Sequence, residues 1–179
     1  MGCAALALLL AMSAVACHKE EQAVVSVAHS AENAEHQAQA TATERDQQRA
    51  ELSAIPLPTK SMYVDVHDPS EWANPFLSVD VNTVDLRITR VDANPSSFGQ
   101  GTLLRPEAAR RQEMQLRPSD VVKALVALPP GAWRYGRVVA VAESPVASRK
   151  DRPKIRRNVE ALIQQLNDLG IVVEEWPSR

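Results

Sequence analysis

The sequence predicts an α/β domain, an α+β sandwich in which a small mixed sheet of four to five strands carries two helices, in the order β-β-α-β-α-β. Three observations predict it. Apolar and polar side chains alternate with period two in runs such as Val84-Asp85-Leu86-Arg87-Ile88, the pattern of strands with one buried and one wet face. Ile155, Val159, Leu162, Ile163, Leu166 and Leu169 recur at spacings of three and four, the pattern of a helix packed along one stripe. Strand and helix patterns then take turns toward the C-terminus, which places the helices against a sheet.

The N-terminus opens with Leu6, Leu8, Leu9 and Leu10 among alanines, followed by Ser13-Ala14-Val15-Ala16 and then Cys17. A run this short, ending in small residues, reads as a secretory signal over residues 1–16 and not as a permanent membrane span. Residues 17–56 are rich in Ala, Gln and Glu. Between Ala31 and Ile55 a fraying single helix or disorder is expected, because alanines bury too little surface to hold a globular core. The segment is therefore expected to be a tether that adds nothing to stability. Its apolar positions Val24, Val27, Ala31, Ala34 and Ala38 are too weak a seam for a coiled coil. Pro56 and Pro58 end any helix, so the globular domain is expected over residues 57–179.

Tyr63, Val64 and Val66 form a short candidate strand, and Asp68-Pro69-Ser70 is turn chemistry. From Phe76 to Val91 the alternation persists but slips phase at Asn82-Thr83. Asn-Thr lacks the glycine of a tight turn, so one long bulged strand is expected. Asn94 to Gly101 reads as a loop, with a helical turn after Leu103. Glu113 to Arg117 is a strand. Ser119 or Asp120 starts a helix bearing Val121, Val122, Leu125 and Leu128, ended by Pro129-Pro130-Gly131. Val138 to Ala142 is apolar throughout, so this strand is expected to be central. Asp151 is the expected N-cap of the last helix, with Pro153 in its first turn and Gly170 as its C-terminal cap. Ile171 to Trp176 closes the domain as a strand.

Aromatic residues make up only 4% of the chain, so the core is expected to be aliphatic. Loss of the signal removes Cys3 and leaves Cys17 alone, which excludes an intrachain disulfide and a cysteine-based metal or redox centre. The net charge is −2, yet residues 101–157 hold thirteen Lys or Arg against five acids. Such a basic zone suits an anionic partner or is a solvated surface that balances the acidic strands, and an exported chain is not expected to meet nucleic acid.

Catalytic signatures are missing: the sequence has no Gly-x-Ser-x-Gly, no His-Glu-x-x-His and no phosphate-binding glycine loop. His29 and His36 sit seven residues apart in the tether and read as solvated side chains. His67-Asp68 reads as a turn, because adjacent strand-end residues point to opposite sides. No enzyme activity, cofactor or metal is expected. Trp133, Arg134 and Tyr135 form an aromatic-basic cluster, and Trp, Tyr and Arg are enriched in binding hot spots. Together with Arg137, Arg156 and Arg157 they are the candidate binding residues. The alternative for Trp133 and Tyr135 is that they cover the edge of the core.

Small residues running into Cys17 resemble the lipobox of bacterial lipoproteins, although Ala14 stands where that pattern prefers Leu. The resemblance implies cleavage before Cys17, lipid on its thiol and, with His18 rather than Asp next, sorting to the outer membrane facing the periplasm. Glu113 to Trp176, with Tyr135-Gly136-Arg137-Val138-Val139, resembles the periplasmic domain of the ExbD/TolR transport proteins, which implies a fold and not proton-driven transport. Leu162, Leu166 and Gly170-Ile171 are similar to the helix end of OmpA-type peptidoglycan-binding modules, but Asn158 falls where their ligand-binding Arg should be. The expected function is a lipid-anchored, non-enzymatic binding module. Its expected partners are the membrane, through the lipid anchor, and an envelope protein or anionic cell-wall polymer. An immunity or inhibitor lipoprotein directed at an envelope-attacking enzyme, or a peptidoglycan-binding module, is the alternative.

Overall fold

In the computed structural model, residues 32–89 and 111–177 are described, and they form three helices and one five-stranded mixed sheet. The signal segment, Cys17, His18, His29, the loop from Asn94 and the turn expected after Leu103 lie outside the described residues. Helix α1 covers residues 32–53. The strands are β1 (Phe76–Val79), β2 (Val84–Thr89), β3 (Arg111–Leu116), β4 (Val138–Glu143) and β5 (Val172–Trp176). Helix α2 (Val121–Val126) joins β3 to β4, and α3 (Arg152–Asp168) joins β4 to β5. The chain divides into two units, residues 1–45 and Asp46–Arg179.

In the first unit the described residues, 32–45, are one continuous helix with every residue exposed. Thr41 and Thr43 return their hydroxyls to the carbonyls of Gln37 and Gln39 at 2.8 and 2.9 Å.

The second unit begins at Asp46, upstream of the boundary the prolines suggest. Leu52 is only 1% exposed and belongs to the main core. Arg49 donates through Nε to the Asp168 carbonyl at 3.2 Å. The last turns of α1 thus pack on this unit, contrary to the expectation of a tether without structural contribution. Composition misled here because one leucine in the right place outweighs many exposed alanines.

The sheet runs in the order β3-β2-β1-β4-β5. β2 is antiparallel to both β1 and β3, whereas β4 runs parallel to β1 and β5 parallel to β4. The expected bulged strand is instead a hairpin, with Val79 opposite Val84. The chain reverses without glycine: the Asp80 N–H donates to the Thr83 carbonyl at 2.9 Å, and the Asp80 carboxylate accepts from the Val81 N–H at 2.6 Å. A side-chain bond to the adjacent backbone amide supports the turn locally. The phase slip at Asn82-Thr83 is the reversal itself, since it lets Val79 and Val84 share one face. The candidate strand at Tyr63 is also corrected. A 3-10 turn over Lys60–Met62 replaces it, and the amides of Tyr63 and Val64 both turn back to the Lys60 carbonyl.

One face of the sheet carries the aliphatic core. Leu77, Val79, Leu86, Ile88, Val139 and Val141 meet Val121, Val122 and Leu125 of α2, and Ile155, Val159, Leu162 and Leu166 of α3. β4 is buried on both faces, as its apolar run requires. The end of α3 follows from Gly170, whose φ is +77°. The Ile171 amide reaches the Leu166 carbonyl at 3.0 Å and the Gly170 amide reaches Asn167 at 2.8 Å. This pair of bonds is a Schellman cap. At the other end Asp151 makes no side-chain cap; its carboxylate accepts from the Ser148 hydroxyl at 2.6 Å.

Candidate functional site

Among the described residues the second face of the sheet is only half covered, and the cover comes from residues 59–76. Tyr63, Trp72, Phe76, Val138, Ala140 and Trp176 form a small second core there. Trp72 meets Tyr63, Tyr135 and Trp176 at ring-centroid distances of 5.5, 5.3 and 5.8 Å, each edge-on. Edge-to-face contacts of this kind add about 0.5–1.5 kcal/mol per pair beyond burial. Asn74, 1% exposed, fixes the segment to β4. Its amide nitrogen donates to the Gly136 and Val138 carbonyls at 2.8 Å each, and its oxygen accepts from the Tyr135 N–H at 2.8 Å. Gly136 is confined as well: a Cβ there would stand 2.7 Å from the Pro56 carbonyl oxygen, at a φ of +84°.

Beyond this cover the described residues leave a groove of about 670 Å³ on the sheet face, within the range of ligand sites. Its floor crosses the strands. Ser78 lies between Asp85 of β2 and Ala142 of β4, and Asp85 faces Gln115 of β3. In the next rung Phe76 lies beside Arg87, which faces Glu113. Small side chains at Ser78 and Ala142 deepen the middle, while Phe76 and Trp176 raise apolar walls. Pro69, Pro145, Pro177 and Val146 form the rim, and Val146 is 86% exposed.

The electrostatics of the groove are uneven. Arg87 has its contacts within the fold: its guanidinium donates to the Pro69 carbonyl and lies 4.4 Å from the Phe76 ring centre. Burial, and then Arg111, pull its pKa below the usual arginine range, while Glu113 and Asp68 act in the opposite sense. Glu143 lies 3.9 Å from Arg152. Asp85 makes no hydrogen bond or ion pair among the described residues. Among the lining residues three carboxylates, Asp85, Glu113 and Glu143, stand beside one cation, Arg87, with Arg152 next to Glu143 and Arg111 next to Arg87 outside the lining.

The residues singled out from sequence are not brought together. Trp133 is 5% exposed and belongs to the aliphatic core, where it lines a small crevice with Leu52, Ile55, Val126 and Leu128. Tyr135 packs into the aromatic cluster on the opposite face. Burial gives Trp133 the core role of the two weighed, and Tyr135 is partly buried against the aromatic cluster. Arg134 and Arg157 are exposed, and Arg137 is half-buried beside Gly170. Arg156 is held by Glu160 at 2.9 Å and by Glu175, and these two bonds keep its pKa above the usual arginine range. The basic zone is partly neutralised in place: Arg117 bonds Asp120 at 2.8 Å, and Arg111 donates to the Ser70 carbonyl. Its exposed remainder, Arg149, Lys150, Lys154 and Arg157, gathers around the start of α3.

The Asp68 carboxylate accepts from the Ser70 N–H at 2.7 Å, so this residue performs the turn role read from sequence. Among the described residues no three His, Cys, Asp or Glu side chains gather to hold a metal ion. Nor, among them, is any helix long and apolar enough to cross a membrane.

Comparison with known families, characterised proteins and solved structures gives no match to this chain. The groove was missed in sequence although its residues were visible. Ser78, Asp85, Arg87, Glu113 and Gln115 read as wet faces of strands, but alternation does not tell which part of a wet face lies under other chain. Asn74 left a fainter signal, an amide between Trp72 and Phe76 in an otherwise apolar stretch.

Proposed function

We propose that this chain is a lipid-anchored binding module of the bacterial cell envelope, attached through Cys17, facing the periplasm from the outer membrane and working without catalysis. The observation that carries the binding role is the open groove on the second sheet face. Its floor crosses β2, β1 and β4, each paired on both sides, with β3 at the sheet edge; a floor on paired strands is pre-organised, and pre-organisation lowers the cost of binding. The run of small residues into Cys17 supports the anchor, and the exposed helix of residues 32–45 suits a tether between anchor and domain. Its partner is an envelope component, best a protein, met by a rigid surface.

The test uses the rim. A photo-crosslinking p-benzoylphenylalanine in place of Val146, in the full chain in intact cells, should give a light-dependent adduct of discrete mass. The same group at exposed Gln164, on α3, should not give that adduct. Absence of any adduct from position 146, or the same adduct from both positions, removes the groove as the binding site.

A further inference from the structure

Resting on that reading of the groove as a binding site, we infer its occupant: an extended basic peptide segment, with aliphatic residues beside its cations, presented by an envelope protein. Three features of the groove lead there. The first is length. The lining runs from Gln115 on β3 to Trp176 on β5, four strand spacings of roughly 4.8 Å, enough for an extended segment of about five or six residues at ~3.3 Å each. A small amine would occupy one end only.

The second is charge. Asp85, Glu113 and Glu143 line the groove with one lining cation, Arg87, and Glu143 has Arg152 at 3.9 Å outside the lining, which leaves Asp85 and Glu113 beside Arg87. Arg87 is turned to the Pro69 carbonyl and the Phe76 ring, and Asp85 has no partner among the described residues. A lysine or arginine lying over β2 and β3 would meet Asp85 and Glu113, which sit diagonally across neighbouring strands. An acidic segment would meet the same carboxylates with repulsion. The third is the wall. Phe76 and Trp176 on one side and Val146 on the rim offer apolar contact to residues flanking a cation. The low floor at Ser78 and Ala142 leaves room for the backbone between them.

The closing experiment uses detergent-solubilised full-length protein and two fluorescein-labelled hexapeptides, one alternating valine with lysine and its twin alternating valine with glutamate. Fluorescence anisotropy should show binding of the lysine peptide, and at least about tenfold weaker binding of the glutamate twin. The affinity should fall as salt shortens the screening length from roughly 8 Å to 3 Å. Asp85→Asn and Glu113→Gln keep side-chain shape, and each should weaken the lysine peptide by about tenfold, the scale of one charge-assisted hydrogen bond. Equal binding of the twins, no binding of either, or an affinity indifferent to both substitutions overturns the inference. The crosslink at position 146 separates the two failures. An adduct that persists at full yield in Asp85→Asn/Glu113→Gln keeps the binding module and discards the basic ligand. No adduct even with the groove unaltered discards the module.

Discussion

Leu52→Ala is the perturbation that separates a structural end of α1 from a mere tether. The side chain is 1% exposed and packs in the main core with Trp133 and the α2 residues. Truncating a buried leucine costs about 2–5 kcal/mol, transfer energy plus the cavity left behind. Trp133 and Ile55 line a crevice beside Leu52, so the void has little to collapse into it and the middle of that range, about 3 kcal/mol, is expected. For a unit of this size each kcal/mol moves Tm by roughly 3–5 °C, so the melting temperature should fall by about 10 °C. Ala38→Ser, on the exposed part of the same helix, should change stability by less than about 0.5 kcal/mol. A chain starting at Leu57 also loses the Arg49 bond to the Asp168 carbonyl and the Pro56 carbonyl that accepts the Arg137 amide at 2.8 Å. It should melt lower than Leu52→Ala or fail to fold. Calorimetry and urea melts decide the matter. A Leu52→Ala loss below about 0.5 kcal/mol, or a chain from Leu57 that melts with the full protein, refutes the packing described for α1.

Other expectations follow from the same geometry. Leu162→Ala, mid-stripe on α3 and buried, should cost about 2–5 kcal/mol, and Gln164→Ala, exposed on the same helix, under about 0.5; equal losses in denaturant melts would mean the helical face is misassigned. Asn74→Ala strands two carbonyls and one N–H that the amide now satisfies, each worth about 1 kcal/mol or more when buried, so a loss of at least ~3 kcal/mol is expected; a loss under half of that would show water replacing the amide. Cys17→Ser should abolish palmitate labelling and leave unprocessed precursor; persistent label in that variant contradicts the anchor. Burial, and then Glu174, raise the Tyr63 phenol above its ordinary value of 10.0. Since the folded value exceeds the unfolded one, the stability tied to the neutral phenol is complete below pH 10 and fades as the pH rises toward the folded value. Ultraviolet titration should therefore find one late-ionising tyrosine, and Glu174→Gln should bring its transition partway back.

Much of the fold was legible because its signals are local. The stripe from Ile155 to Leu169 fixes α3, and Gly170 can take the positive φ that its C-terminal cap needs. The apolar run from Val138 to Ala142 marks a central strand because only a strand covered on both faces can afford no polar positions. The failures have a physical pattern too. The reversal at Asp80 uses a side-chain bond in place of glycine, so residue type alone did not reveal it. The strand expected at Tyr63 gave way to a turn because Tyr63 and Trp72 gain more by packing together over β4 than by pairing in the sheet. Leu52 and Asn74 act across long separations, Asn74 on β4 more than sixty residues later, and no local period records such partners.

The same distinction explains why the candidate site escaped the sequence. Trp133, Arg134 and Tyr135 have hot-spot composition, yet alternation through a loop sends Trp133 to one face of the sheet and Tyr135 to the other, where both rings are used for packing. A binding surface needs apolar side chains that the fold leaves over. On the second face the aromatic cover stops at Phe76 and Trp176, and the positions beyond it carry Ser78, Asp85, Glu113 and Gln115. Apolar residues there would have demanded further cover, because a large exposed apolar patch invites association. Polar residues let the face stay open, with two aromatic walls still within reach of whatever lies on it. Among the described residues, the groove is thus what remains when one segment, held by Asn74 and Gly136, covers half of a sheet whose other half is polar enough to meet water.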